Sequence, residues 1–301
     1  MKVLVTGAAG FIGKKIAQCF LNKGYEVKGW DLVSDNEMFE IKSVDMMNYS
    51  AVLSELKEYG PDIVIHCAGC ANVSESVKNP ERDFYGNVTI THHLLFALNE
   101  CKLPDLRVVF LSSASVYGNP SRLPISENDE LKPLSPYALH KEMCEKICKF
   151  FISNYGMDIK IARIFSAYGE GLKKQIFWDM YQKAQNGKLE MFGTGNESRD
   201  YIHVDDVVQA IYLLSVTDSK ECVFNVANGE EVTIRNATEL FAQIAGVEKE
   251  KIIFNGIVRE GDPLNWKADI TKISGIGYKQ NVDIYAGLKA YYDWVSHLEQ
   301  K

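Results

Sequence analysis

Apolar and polar positions fall into blocks along the first half of the chain, and each block has a readable period. Lys2 to Val5 is a short aliphatic, β-branched run, which predicts a buried strand. Apolar residues then recur at helical spacing, at Phe11, Ile12, Ile16, Ala17 and Phe20. Tyr25 to Trp30 predicts a second strand, and Ile41 to Val44 a third that ends in Asp45. Asn48 to Tyr59 predicts an amphipathic helix stopped by Gly60-Pro61. Asp62 to His66 predicts the next strand, and Pro80 to Cys101 a long helical stretch. Leu106 to Leu111 predicts a strand that runs into a serine-rich stretch, Ser112 to Gly118. Asn119 to Pro136, rich in Pro, Ser and acidic residues, predicts a loop over a site. Tyr137, Lys141, Met143, Ile147, Phe150 and Phe151 then recur at helical spacing, and Ile159 to Phe165 predicts another strand.

Strands that alternate with helices predict an α/β fold with a doubly wound parallel sheet. Beyond Ser166 the pattern loosens, with more glycine and shorter segments. Helices are expected there over about 204–214, 233–245 and 282–298. No internal repeat or low-complexity segment is present.

Composition narrows the picture. The chain has 301 residues, 46% hydrophobic and 24% charged, and is long enough for a large core. A net charge of −7 disfavours nucleic acid as a partner. No apolar run is long enough to span a membrane, and a chain that begins as a strand is not expected to carry a signal peptide. Seven cysteines without framework spacing predict free thiols in a reducing cytoplasm. Cys67 and Cys70 form a C-x-x-C at the end of an apolar strand, a spacing that can serve redox or metal chemistry, but a single such pair does not make that the favoured reading. Cys144 and Cys148 share a helix face and read as packing residues. His92 and His93 are adjacent and cannot share a helix face, so no metal site is put forward.

Candidate chemistry begins at the first turn. Gly7, Gly10 and Gly13 stand between a strand and a helix, in Thr6-Gly-Ala-Ala-Gly-Phe-Ile-Gly13. In that context glycines permit a tight turn, close approach of backbone to a pyrophosphate, and close packing of helix on strand. The helix start, at Phe11 and Ile12, offers amides and a partial positive charge to phosphate. Asp31 stands 18 residues after Gly13, at the end of the second strand. An acidic residue there can bond the adenosine ribose, and it repels a 2′-phosphate, which favours NAD over NADP. Asp45 and Met46 follow the third strand and could contact adenine, with helix capping the competing role for Asp45. Cys67, Ala68 and Gly69 are small residues at a strand end, again suited to close cofactor approach.

Ser113, Tyr137 and Lys141 are the candidate catalytic residues. Tyr137 and Lys141 are four apart and share a helix face. Tyrosine alone titrates near 10, and an adjacent ammonium favours the phenolate. Such a tyrosine can take a hydroxyl proton while hydride leaves the same carbon for nicotinamide, and Ser113 can bond the same oxygen.

These residues, in this order, resemble the extended short-chain dehydrogenase/reductases of the NAD-dependent nucleotide-sugar epimerase/dehydratase type. The resemblance rests on Thr6 to Gly13, His66-Cys-Ala-Gly69, Asn87, Ser112 to Gly118, Tyr137-Ala-Leu-His-Lys141 and Arg163 to Gly169. Arg199-Asp-Tyr-Ile-His-Val-Asp205 and Arg259-Glu-Gly-Asp262 extend it to nearly the whole chain. It implies a seven-stranded Rossmann sheet with a smaller C-terminal substrate-binding lobe. Residues 1–165, with about 201–227 returning, would form the first, and 166–200 with 228–301 the second. It implies a nucleotide-diphosphate sugar as substrate, NAD as cofactor, Asn87 beside the cofactor, and a homodimer. It also implies that Arg199 and Arg259 hold the diphosphate, which suits guanidinium chemistry.

Departures from the family pattern refine this. Sugar 4,6-dehydratases and nucleotide-sugar decarboxylases carry carboxylates just after the residue equivalent to Ser113; Ala114 and Ser115 fill those slots here. Ser166 replaces the usual Asn and would seat the sugar phosphates differently. Ala71 stands where many galactose epimerases carry Lys. The expected function is an NAD-dependent nucleotide-sugar 4-epimerase of surface-polysaccharide synthesis, acting through a 4-keto intermediate. The alternatives are an NAD(P)H-dependent 4-keto-sugar reductase and a non-catalytic NAD-binding protein.

Overall fold

The strand-like runs of the first half become neighbouring rows of one parallel sheet. The computed structural model describes residues 1–35, 38–257 and 263–299. β1 (Lys2–Thr6) leads into α1 (Phe11–Asn22), and β2 (Glu26–Asp31) and β3 (Ile41–Ser43) follow. α2 (Tyr49–Tyr59) is capped by Asn48, which accepts from the Ala51 amide, and ends on Gly60 in the left-handed region. Then come β4 (Ile63–His66), two short helices α3 (Val73–Lys78) and α4 (Pro80–Phe84), a π-helical turn (Tyr85–Thr89) and α5 (Ile90–Cys101). β5 (Arg107–Ser113), α6 (Pro136–Tyr155) and β6 (Asp158–Ile164) complete the regular alternation.

The C-terminal half has shorter pieces. β7 (Ser166–Tyr168), α7 (Gln175–Ala184), β8 (Leu189–Met191), β9 (Ser198–Arg199) and β10 (Tyr201–His203) precede α8 (Val204–Val216) and β11 (Val223–Val226). β12 (Val232–Thr233), α9 (Ile234–Ala245), β13 (Ile252–Phe254), α10 (Thr271–Gly275) and α11 (Ile284–Glu299) complete the chain.

The central sheet runs β11-β6-β5-β4-β1-β2-β3, all parallel. Val5 lies between Gly29 and Ile65. Helices cover both faces, so the strands are apolar throughout rather than alternating; all four residues of β4 are buried. Ile16 and Phe20 of α1 and Ile211 and Leu214 of α8 pack one face. Leu56, Leu94, Cys144 and Cys148, from α2, α5 and α6, pack the other. Phe177, Tyr201, Phe241, Leu288 and Tyr291 build a separate core from C-terminal segments.

After β3 the chain crosses to β4 on the opposite side of β1, so the strand order reverses there. Such a switch point opens a crevice at the carboxyl ends of the strands, where α/β proteins bind ligands.

The stretch from Pro80 to Cys101 is helical throughout, as expected, but not uniformly α. It is α4, a π-turn and α5, because five residues adopt the wider π geometry and shift the register. The six-residue α3 has no apolar period and was not expected.

Candidate active site

Everything proposed for the site from the pattern of residues, apart from Arg259, falls within the described residues. Arg259 lies outside them.

The glycine turn is closely fitted. A Cβ on Gly13 would collide with the Gly7 carbonyl oxygen, so α1 can lie directly on the turn only with glycine there. Gly10 is the N-cap of α1, and no side chain caps the helix. The amides of Phe11, Ile12 and Gly13 in its first turn therefore remain for a ligand. Asp31 sits beside them at the end of β2. Its carboxylate accepts from the Ala9 amide at 3.0 Å and the Leu32 amide at 2.7 Å. Uncapped helix amides with an acidic residue one strand away fit a dinucleotide.

Beyond β3 the roles divide. Asp45 Oδ1 accepts from the Met47 amide at 2.9 Å, a local turn bond. The Met46 side chain packs in the core with Leu4 and Trp30, so its backbone is what it can offer a ligand. The Met46 carbonyl accepts from the His93 ring at 3.0 Å, while His92 stacks on Phe96. Cys67, Ala68 and Gly69 turn out of β4 against the π-turn. A Cβ on Gly86 would meet Cys70 Sγ at 2.5 Å, so Cys70 packs there, and burial pushes the Cys67 and Cys70 thiols up.

Ser113 ends β5, where its Oγ accepts from the Ser115 amide at 3.2 Å. Tyr137 and Lys141 occupy the first turns of α6, which starts with Ser135 as N-cap and Pro136 at the first helical position. The Tyr137 amide donates to Ser76 Oγ at 3.1 Å, so the unexpected α3 supports the start of the helix. The Lys141 ammonium is 6% exposed and donates to the Leu111 carbonyl at 3.0 Å. That bond brings it under the end of β5, two residues before Ser113. Two buried polar atoms here, Ser115 Oγ and Asn87 Oδ1, have no partner in the protein. Such atoms mark places where a ligand or water completes the bonding.

Ser166 starts β7, and its amide donates to the Asp200 carbonyl at 3.0 Å. Arg199 ends β9, with its guanidinium on the Ser198 and Leu264 carbonyls and 5.7 Å from the Trp266 ring centre.

Behind Ser113 lies a buried polar cluster that the pattern reading missed. Arg163 binds Glu145 through two bonds, at 2.9 and 2.7 Å, both side chains being 1% exposed. Ser112 Oγ donates to Glu145 at 2.6 Å. Arg163 also donates to the Tyr117 hydroxyl at 2.8 Å, which donates to Asn225 Oδ1 at 2.6 Å. Asn225 donates to the Ile125 carbonyl at 2.9 Å, which ties the 119–136 loop to β11. The signal was available: Arg163 interrupts an apolar strand, and Glu145 lies on the buried face of a helix.

The glycine turn, the crevice at β1 and β4, and a lysine–tyrosine helix beside a serine-ended strand define a dinucleotide-dependent enzyme of the doubly wound class. Residues 3–227 match the NAD dependent epimerase/dehydratase family, and the chain belongs to it. It is 31% identical to a putative UDP-glucose 4-epimerase of Methanocaldococcus jannaschii, over 98% of each chain. It is 30% identical to a GDP-6-deoxy-D-mannose reductase of Pseudomonas aeruginosa, over 100% of this chain and 99% of that one. A crystal structure of UDP-glucuronic acid 4-epimerase from Bacillus cereus, in complex with UDP-glucuronic acid and NAD, superposes with a TM-score of 0.89. That match is 29% identical and covers 99% of this chain and 100% of the other.

Proposed function

We propose that this chain is an NAD-dependent nucleotide-sugar 4-epimerase that works through a transient 4-keto sugar. The observation that carries the reading is the buried Lys141 ammonium, four residues after Tyr137 and bonded beneath the strand that ends in Ser113. NAD, when bound, supplies a hydride acceptor and then a hydride donor at the sugar carbon. Tyr137 takes the 4-hydroxyl proton and later returns one to the carbonyl oxygen. Lys141 would set its buried ammonium beside that chemistry, four residues on from Tyr137 along α6. Ser113 bonds the same oxygen throughout. No net redox occurs.

Gly7, Gly10, Phe11, Ile12 and Gly13 would cradle the pyrophosphate, and Asp31 the adenosine ribose. Asp45, Met46, Cys67, Ala68, Gly69 and Asn87 would line the rest of the cofactor groove. Ser166, Arg199 and Arg259 would hold the nucleotide-diphosphate sugar. Residues 1–165 with 201–227 would form the cofactor domain, and 166–200 with 228–301 the substrate lobe. Exposed Phe96, Phe150 and Tyr155 on α5 and α6 support a homodimer. A cytoplasmic place and a role in polysaccharide synthesis accord with free thiols and a sugar-nucleotide substrate. Among the described residues, no helix is long and apolar enough to cross a membrane.

The reductase relative keeps a second reading open, in which the same residues run once with NAD(P)H consumed. An NMR time course of UDP- and GDP-hexoses with the purified protein, with and without NADH, separates the two. Interconversion of 4-epimers without added cofactor is expected. If no sugar epimerises and a 4-keto-6-deoxy sugar nucleotide consumes NADH, the reductase reading stands instead.

A further inference from the structure

A chain of hydrogen bonds runs beneath the cofactor crevice through His66, which the proposed reaction does not use. Thr6, His66, Thr91 and Asn87 are each at most 1% exposed. The Thr91 hydroxyl donates to the Asn87 carbonyl at 2.7 Å. A carbonyl can only accept, so the single hydroxyl proton of Thr91 is committed there. At its 3.1 Å contact with His66 Nε2, Thr91 Oγ1 must therefore accept, and Nε2 carries the ring proton. Nδ1 is then bare, and it accepts the Thr6 hydroxyl at 2.7 Å. Thr6 Oγ1 accepts in turn from the Ala68 amide at 3.2 Å. The chain runs in one direction, Ala68 to Thr6 to His66 to Thr91 to Asn87. Burial, reinforced by the Lys141 charge, holds the imidazole in its neutral form, with a pKa lowered to about 3.

These bonds join three parts of the site. Thr6 ends β1, just before the glycine turn. His66 ends β4, just before Cys67-Ala68-Gly69. Thr91 sits in the first turn of α5, and its bond reaches back into the π-turn that holds Asn87. Asn87 is itself fixed: its Nδ2 donates to the Asp83 carbonyl at 3.0 Å, and Asp83 holds His140 of α6 at 2.6 Å. What remains is Asn87 Oδ1, buried and without a partner. A Cβ on Gly69 would stand 2.6 Å from that oxygen and 3.5 Å from Lys141 Nζ. Only glycine leaves this space open, with an acceptor on one side and an ammonium on the other. π-Turns are costly geometry and recur at functional sites.

We propose that His66 and Thr91 are positioning residues. Through their bonds to each other and to the Asn87 carbonyl, they hold the π-turn so that Asn87 Oδ1 faces Lys141 across Gly69, ready to accept from a donor of the bound dinucleotide. The proposal rests on the cofactor reading above. It gives the buried His66 and Thr91 beneath the crevice a role in positioning Asn87.

Two measurements test it. The first needs no variant. Imidazole ¹⁵N shifts of the wild-type protein, with His66 assigned among the six histidines by its absence in His66→Gln, should show a neutral ring protonated at Nε2. A ring protonated at Nδ1, or charged at pH 7, overturns the proposal. The second is NAD affinity by calorimetry. Thr91→Val should weaken NAD about tenfold, and Thr91→Ser, which keeps the hydroxyl, should stay within about twofold of wild type. In an Asn87→Ala background, Thr91→Val should cost no further affinity, because its effect passes through Asn87. Equal losses in both backgrounds would mean a merely structural role and would refute the proposal, as would wild-type affinity in Thr91→Val. A protein that binds NAD but epimerises nothing leaves these results standing and removes the epimerase reading alone.

Discussion

At the residue scale, the proposed roles of Tyr137 and Asp31 can be tested apart, one as chemistry and the other as cofactor choice. Tyr137→Phe keeps the ring but removes the transferable proton, so turnover should fall about 10²–10⁴-fold while NAD binding is retained. A variant that turns over like wild type removes Tyr137 from its role. Asp31 places a carboxylate beside the glycine turn, bonded to the Ala9 amide. A second negative charge about 4 Å away meets roughly 1–4 kcal/mol of repulsion, depending on screening. NAD should thus bind better than NADP, and Asp31→Ser should narrow the gap; a wild-type preference for NADP in a titration would show this use of Asp31 to be mistaken. Both residues were legible in the sequence because each depends on local spacing: four residues on one helix, or a strand's length past a glycine turn. Met46 was less legible. Its place after a strand suggested a ligand contact, and nothing in the pattern showed that its side chain joins the core cluster of Leu4 and Trp30.

At the element scale, what could not be read was how one element is pinned to another. The strand–helix alternation was clear, but a π-turn shifts the helical register by only one residue within a run that still reads as helix, so the π-turn inside 80–101 was hidden. Pairing of buried charges is likewise a tertiary fact. Glu145 and Arg163 are 18 residues apart and meet only when α6 packs on β6. Their bidentate bond, with Ser112 and Tyr117 attached, joins α6 to the strands beneath it. Glu145→Ala leaves the Arg163 charge buried without its counter-ion, with only the Tyr117 hydroxyl and the Glu127 carbonyl to accept from it, which typically costs about 3–5 kcal/mol. The melting temperature should drop by roughly 10 °C. Replacing both with methionine should recover part of that loss, since apolar isosteres avoid the uncompensated charge. A Glu145→Ala protein that melts within about 2 °C of wild type would show that the pair does not anchor the helix.

At the scale of the whole molecule, two behaviours follow from how the parts are arranged. Exposed aromatic rings on α5 and α6, with Phe150 52% and Tyr155 50% exposed, leave an apolar strip on one side of the sheet. On the proposed homodimer a second copy would cover it, and light scattering in dilute solution should then report about twice the 33.9 kDa of one chain. A mass of one chain at micromolar concentration would refute this. The second behaviour concerns the cofactor. In an epimerase the 4-keto sugar must be reduced again at the site where it was made, so loss of the reduced cofactor in mid-cycle strands the enzyme. A reductase must instead exchange its cofactor on every turnover. On the epimerase reading, the uncapped amides of α1 and the buried acceptor of Asn87 would hold the cofactor through the cycle. The protein as purified should therefore carry NAD. Acid extraction, followed by enzymatic assay of the released nucleotide, should find a substantial fraction of one NAD per chain, with little NADP. Rapid gel filtration before extraction should not remove it. An extract with no nucleotide, from protein that nevertheless reduces a 4-keto sugar with added NADH, would mean that the same crevice serves a cofactor that comes and goes.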